Sequence, residues 1–186
     1  MSSSVLDKIG SFVSRLLDEQ PDYQAPKDNS TNQTSLDIAY EFLSLAKFEH
    51  DADQSCQFFL THLKLQKMVY FAQIVSLMVE NKPIHNDMTY AWEYGPFAYN
   101  LFNQIKEFGS REFTLDNVKM AEAFKRVKLL DDNSRKIVKA IWNNLKHADP
   151  DRMTELFWKR DSAWKVTRMN NPGGLITHSL MIKQRC

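Results

Sequence analysis

The sequence predicts a mainly α protein: a compact single helical domain with a short extended segment, preceded by an N-terminal amphipathic helix and a linker. Three observations predict it. Apolar residues recur at three- and four-residue spacing in several separate segments, which is the helical period. Those segments are bounded by Ser, Thr or Asp caps at their starts and by Pro or Gly at their ends. The stretch around 83–94 lacks the helical period; it carries Pro83, Asn86 and Asp87 and then alternates loosely, as a turn and a short extended piece would. No internal repeat is present.

Taken in order, residues 4–19 place Val5, Leu6, Ile9, Phe12, Val13 and Leu16 on one helical stripe, with Asp7, Lys8 and Arg15 between them. Pro21 ends that helix, because the residue before a proline is pushed out of helical geometry. Residues 20–35 are polar and almost free of aliphatics, so they read as a flexible linker that buries too little to offset its ordering entropy. Residues 1–35 thus form an appendage and 36–186 the domain. A helix starts near Thr34 or Ser35 and runs to about Glu49, burying Leu36, Ala39, Phe42, Leu43 and Ala46. The next spans about Phe58–Asn81, with Leu63, Met68, Phe71, Ile74, Val75 and Met78 as its core face.

Gly95-Pro96 then reads as a helix start, since proline suits a first helical position where its missing donor would be unpaired anyway. That helix is expected to stop at Gly109. Another runs from Thr114 to about Leu129. Asp131–Ser134 break and cap before Ile137, Val138, Ile141, Trp142 and Leu145 mark a clear helix. Asp149-Pro150 repeats the capping signal before a short helix of Met153, Leu156 and Phe157, with Trp164 after it. Asn171-Pro172-Gly173-Gly174 is a turn, and 175–184 a final short helix or strand.

Composition narrows the function. The 186 residues are enough for one domain with a real core and an appendage. No apolar run approaches the roughly 20 residues that span a bilayer, and no secretory leader is expected. Cys56 and Cys186 form neither a disulfide framework nor a metal spacing, so a reducing cytoplasm is the expected setting. The net charge of +1 argues against direct nucleic-acid binding. The charge is uneven, however: residues 1–60 hold four basic and ten acidic side chains, and 151–186 hold seven and three. This is either solvated surface or an acidic face for a basic partner.

His50, His62, His85, His147 and His178 lie too far apart in sequence to form a zinc motif. The Gly173-Gly174 pair lacks the Lys-Ser/Thr of a phosphate loop. No cysteine or serine stands in a strand–turn–helix nucleophile motif. No enzyme and no cofactor are therefore expected.

The stretch 60–109 carries the most information. Lys64, Gln66 and Lys67 sit amid apolar residues of one helix, and Lys64, Lys67 and Tyr70 share a face. They are either a solvated rim with lysine stems on the core edge, or a polar and aromatic patch for a partner. Trp92, Gly95 and Pro96 read as a folding element, with Trp92 and Trp164 in the core, and Glu93 or Tyr94 facing outward.

Leu63, Lys64, Leu65, Gln66, Lys67, Tyr70, Phe71 and Ala72, followed by Ala91, Trp92, Tyr94, Gly95 and Pro96, resemble the two motifs of the Panacea domain, the antitoxin domain typified by SocA-type proteins. Phe97 replaces the usual valine. A weaker likeness extends to Trp164, with Lys159 where the family has histidine and Ala163 where it has proline. The resemblance implies an antitoxin that neutralises a cognate protein toxin by direct binding. An adaptor that delivers the toxin to an ATP-dependent protease is the alternative, and a small hydrolase or transferase the third. The suspected partner residues are Lys64, Gln66, Lys67, Tyr70 and Tyr94, together with the N-terminal stripe. That stripe must be covered by the chain's own domain, by a second copy in a homo-oligomer, or by the toxin; with only Lys8 and Arg15 positive, it lacks the basic face of a membrane anchor.

Overall fold

A computed structural model describes residues 31–56, 58, 60–106, 129–158 and 161–183. The expected N-terminal helix at 4–19, most of the linker and the expected helix at 114–129 lie outside these residues, apart from Leu129. The elements are α1 (Ser35–Ala52), α2 (His62–Val79), β1 (Thr89–Trp92), β2 (Gly95–Ala98), α3 (Tyr99–Ile105), α4 (Asp132–Leu145), α5 (Pro150–Phe157), α6 (Ala163–Asn170) and α7 (His178–Lys183). The protein is mainly α, with one small antiparallel sheet. Among the described residues no helix is long and apolar enough to cross a membrane.

Each well-formed start has a cap that satisfies orphan helix N–H groups. Thr34 and Asp37 form a reciprocal capping box at α1. Thr61 caps α2 and Asp131 caps α4. Asp149 caps α5, with Pro150 inside its first turn. Ser162 caps α6, where the sequence reading assigned no helix.

Helix α2 is the axis of the molecule. It packs against α1, α3, α4, α5, α7 and β2, and is buried nearly all round from Lys64 to Leu77. A helix with no wet face is a core helix. The α1 helix is tied to α4 at one end, where Glu49 accepts from Trp142 Nε1 at 2.8 Å and pairs with Lys146 at 2.6 Å.

The end of the expected linker belongs to the domain. Gln33 is buried and donates to Ser134 Oγ at 3.0 Å, while its carbonyl accepts from Asn86 N at 3.1 Å.

Two expectations are corrected at the hairpin. Gly95-Pro96 does not open a helix; it starts β2, and α3 begins at Tyr99. The pairing explains why proline is tolerated. Ala91, opposite Pro96, turns its N–H and C=O away from β2, to Gly174 O and Gly173 N. Pro96 therefore sits in a non-hydrogen-bonded pair, and its missing N–H removes no ladder bond. Gly95 takes φ 125, a conformation only glycine enters readily, which lets the chain reverse at Glu93-Tyr94.

Trp92 is the second correction. It is 40 % exposed, whereas Trp164 is fully buried and donates from Nε1 to Trp92 O at 2.9 Å. The β1 side chains alternate, and Trp92 falls on the outer face while Ala91 takes the core.

Truncating Trp164 to alanine should cost about 3–5 kcal/mol, as for a buried aromatic. Trp92→Ala should stay within about 1 kcal/mol of the parent, as for a surface side chain. Chemical denaturation of the two variants compares them directly.

Candidate functional site

The polar residues of α2 do not form a surface. Lys64, Gln66, Lys67 and Tyr70, expected as a partner patch, are each no more than 3 % exposed. A buried polar group must find a partner or destabilise the fold, and the hydrogen-bonding groups of Lys64, Gln66 and Lys67 each reach a neighbouring element. Lys64 Nζ donates to Lys146 O at 2.8 Å, at the C-terminal end of α4, where the helix dipole favours a cation. Lys67 Nζ donates to Pro150 O at 2.7 Å and Thr154 Oγ1 at 2.6 Å on α5.

Burial pushes the Lys64 ammonium down to about 8, with the Asp149 carboxylate opposing the shift. Burial also lowers Lys67, opposed by Asp151 and Asp149.

Gln66 holds the sheet. Its Oε1 accepts from Ala98 N at 2.9 Å and its Nε2 donates to Ala98 O at 3.1 Å. The side-chain amide thus takes the place of a neighbouring strand along the free edge of β2, next to Pro96, which has no N–H to offer there. Such an edge is closed to further pairing. Gln73, which the sequence reading passed over, fastens the backbone ahead of β1 from about two turns further along the helix. Its Oε1 accepts from Ile84 N at 2.8 Å and His85 N at 3.2 Å, and its Nε2 lies 2.9 Å from His178 Nε2. A glutamine among apolar helix positions was the available signal.

The opposite edge of β1 is also closed. Ala91 N donates to Gly174 O at 2.8 Å and Ile176 N to Thr89 O at 2.8 Å, with a bridge between Tyr90 and Leu175.

Beneath the hairpin lies an aromatic core. Phe157 stacks on Phe71 at 5.2 Å and meets Tyr70 edge-on at 5.6 Å. Leu65 and Pro96 are buried, and Leu63 is half-buried. A side chain on Gly95 would point at Lys67 and Phe157.

What remains outside is the other face of the sheet. Tyr90, Trp92 and Phe97 lie on it by alternation and register, and Tyr94 at the turn and Tyr99 beyond β2 are 55 % and 56 % exposed. Trp92 contacts Phe97 at 4.8 Å and Tyr94 at 5.5 Å, and Phe97 contacts Phe102 at 5.1 Å. An antiparallel sheet with one wet face normally shows polar side chains there. This one carries the rings of Tyr90, Trp92 and Phe97 there instead. Of the suspected partner residues, Tyr94 is on this surface; those of the N-terminal stripe lie outside the described residues.

The arrangement defines a small helical domain that presents an aromatic hairpin from a core cross-linked by buried polar side chains. The chain belongs to the family described as antitoxin SocA-like, Panacea domain, which matches residues 65–165, more than half of its length. The match takes in Gln66, Lys67, Gln73, the hairpin and Trp164. Comparison with the curated proteins and with the solved structures returned no match.

Two measurements test the internal role of the motif. Gln66→Leu leaves Ala98 N and O unpaired and should cost about 1–3 kcal/mol; equal melting of variant and parent would refute the clamp. Lys64 is charged with pKa near 10.5 when unfolded and about 8 when folded, so the unfolded chain binds more protons between those values. The cost of burying this ammonium is fully present below pH 8 and is relieved as pH rises towards 10.5. The stability difference between parent and Lys64→Met should therefore shift in the parent's favour across that window, as read by denaturant titration at each pH.

Proposed function

We propose that this protein is the antitoxin of a toxin–antitoxin pair, acting in the cytoplasm, and that it neutralises its cognate protein toxin by direct binding through the outer aromatic face of the hairpin. The family supplies the antitoxin role, and the exposed Trp92, Tyr94 and Tyr99 supply the surface. The observation that carries the reading is the contrast between the two faces of one sheet. The sheet is fastened to α2 at its β2 edge by Gln66, and its outer face offers aromatic area that the described residues leave exposed.

Tyr and Trp dominate protein interfaces because they bring large contact area at low entropy cost. Their backbone here is fixed at both edges, so little further ordering is needed on binding. The buried Lys64, Gln66 and Lys67 act in this reading as the supports of that face rather than as contacts.

The test uses the product of the neighbouring reading frame as toxin. The double variant Trp92→Ala/Tyr94→Ala should fold with the parent's near-ultraviolet spectrum and lose affinity by about a hundredfold or more, the loss typical of two interface anchors. Parent protein at stoichiometric amounts should block purified toxin with no protease present. A folded double variant that neutralises like the parent would refute the face, and a block that needs an ATP-dependent protease would refute direct neutralisation.

A further inference from the structure

The outer face of the hairpin has an occupant within reach. We propose that residues 4–19 dock on it as an amphipathic helix, so that the chain's own N-terminal arm covers the aromatic face until a partner displaces it. The displacement step rests on reading that face as the partner site; the docking does not.

Where the described chain begins is the first support. Thr31 is bound to Asn86 through its N–H at 3.3 Å and also through its carbonyl, which accepts from the Asn86 amide. Asn86 N donates to Gln33 O at 3.1 Å, and Ser35 N donates to Asp87 Oδ2 at 2.8 Å. Asp87 Oδ1 in turn accepts from Asn100 Nδ2 at 2.6 Å, and Asn100 follows Tyr99 of the aromatic face. The chain therefore enters the domain at the base of the hairpin, beside β1 and the start of α3.

Length is the second support. Residues 20–30 form a polar tether that spans roughly 17–20 Å as a coil. A four-residue strand is about 13 Å long. The tether thus reaches the far end of the hairpin without being drawn taut. As a helix, the stripe from Val5 to Leu16 covers about 17 Å, a length similar to the face it would meet.

Chemistry is the third. The stripe of Val5, Leu6, Ile9, Phe12, Val13 and Leu16 needs an apolar cover, because an isolated helix of about 12–15 residues is marginal in water. The face of Tyr90, Trp92, Phe97, Tyr99 and Leu175 needs one for the complementary reason. A helix laid on a sheet is the ordinary way both are satisfied. A second copy of the chain could offer the same stripe. A short tether, however, gives the chain's own arm an effective concentration of about millimolar, which a free copy must exceed.

Hydrogen–deuterium exchange of the full-length protein, without any partner, tests the docking. Amides of 4–19 should exchange about tenfold or more slowly than unstructured chain. Trp92→Ala/Tyr94→Ala should abolish that protection. The arm variant Ile9→Ser/Phe12→Ser cannot disturb the hairpin's own packing, and it should release both 4–19 and the peptide covering 88–102. The protection should not change with protein concentration.

Unprotected 4–19 amides in the parent would overturn the proposal. So would protection that survives the hairpin variant, or protection that grows with concentration and reports a second copy. Because no toxin is present, these results stand apart from the neutralisation assay: the arm can prove undocked while the face still binds toxin, and the reverse.

Discussion

The amide of Gln66 on the edge of β2 is the contact on which the rest of this structure depends. It joins the central helix to the hairpin by two hydrogen bonds to one residue, Ala98, at 2.9 and 3.1 Å. Both partners are buried, so either bond left unmade would leave an unsatisfied group in the core. The register of β1 and β2 follows, since a slip of one residue would turn the inner Ala91 and Ala98 outward and the outer Trp92 and Phe97 inward against α2. Lys64 and Lys67 extend the same principle along the helix, each tying α2 to a backbone carbonyl at the end of α4 or the start of α5. These bonds fix where elements sit more than they add net stability, because the desolvation of each lysine offsets much of what its hydrogen bonds contribute.

This internal wiring explains how a small domain can hold aromatic side chains in water without collapsing onto them. Trp92 cannot turn inward: the core below the hairpin is filled by Phe71, Phe157 and the fully buried Trp164, and Trp164 is itself bonded to the Trp92 carbonyl. Both sheet edges are occupied, by Gln66 and by the 173–176 segment, so the exposed surface cannot grow into a larger sheet by edge pairing. What this face leaves exposed is side-chain area, not backbone.

The helices were legible in the sequence because local signals agreed with tertiary burial. At α4, the Asp131 cap and the Ile137, Val138, Ile141, Trp142 and Leu145 stripe coincide with what is buried. At α5, Asp149-Pro150 did the same. The hairpin was not legible in full, because Gly95-Pro96 suits a helix start and a strand equally, and the pairing of Ala91 with the distant 173–174 turn decided between them. The polar residues of α2 misled for a related reason. A lysine amid leucines reads as a rim position, and it is acceptors some eighty residues away, the carbonyls of Lys146 and Pro150 and the Thr154 hydroxyl, that make its burial tolerable. α6, as short as α5, went unseen because its buried residues are Ala163, Trp164 and Thr167, which make no aliphatic stripe, and no proline follows its Ser162 cap.

The motif that carries the family resemblance therefore lies largely inside the molecule. Lys64, Leu65, Gln66, Lys67, Ala91, Gly95 and Pro96 are buried and report how the domain is built. The surface a partner would meet is composed mostly of residues the motif leaves out, namely Tyr90, Phe97, Tyr99 and Leu175, joined to the motif's exposed Trp92 and Tyr94. Phe97 is the informative one. It stands where the family pattern has valine, and its ring touches Trp92, Tyr99 and Phe102. A valine there would leave the scaffold's hydrogen bonds unchanged, but it would remove the ring that links Tyr99 to Trp92 and Phe102, leaving Trp92 against Tyr94 and Phe102. The interior and the outer face are thus separable: the exposed side chains can change without disturbing the buried bonds that hold the hairpin in place.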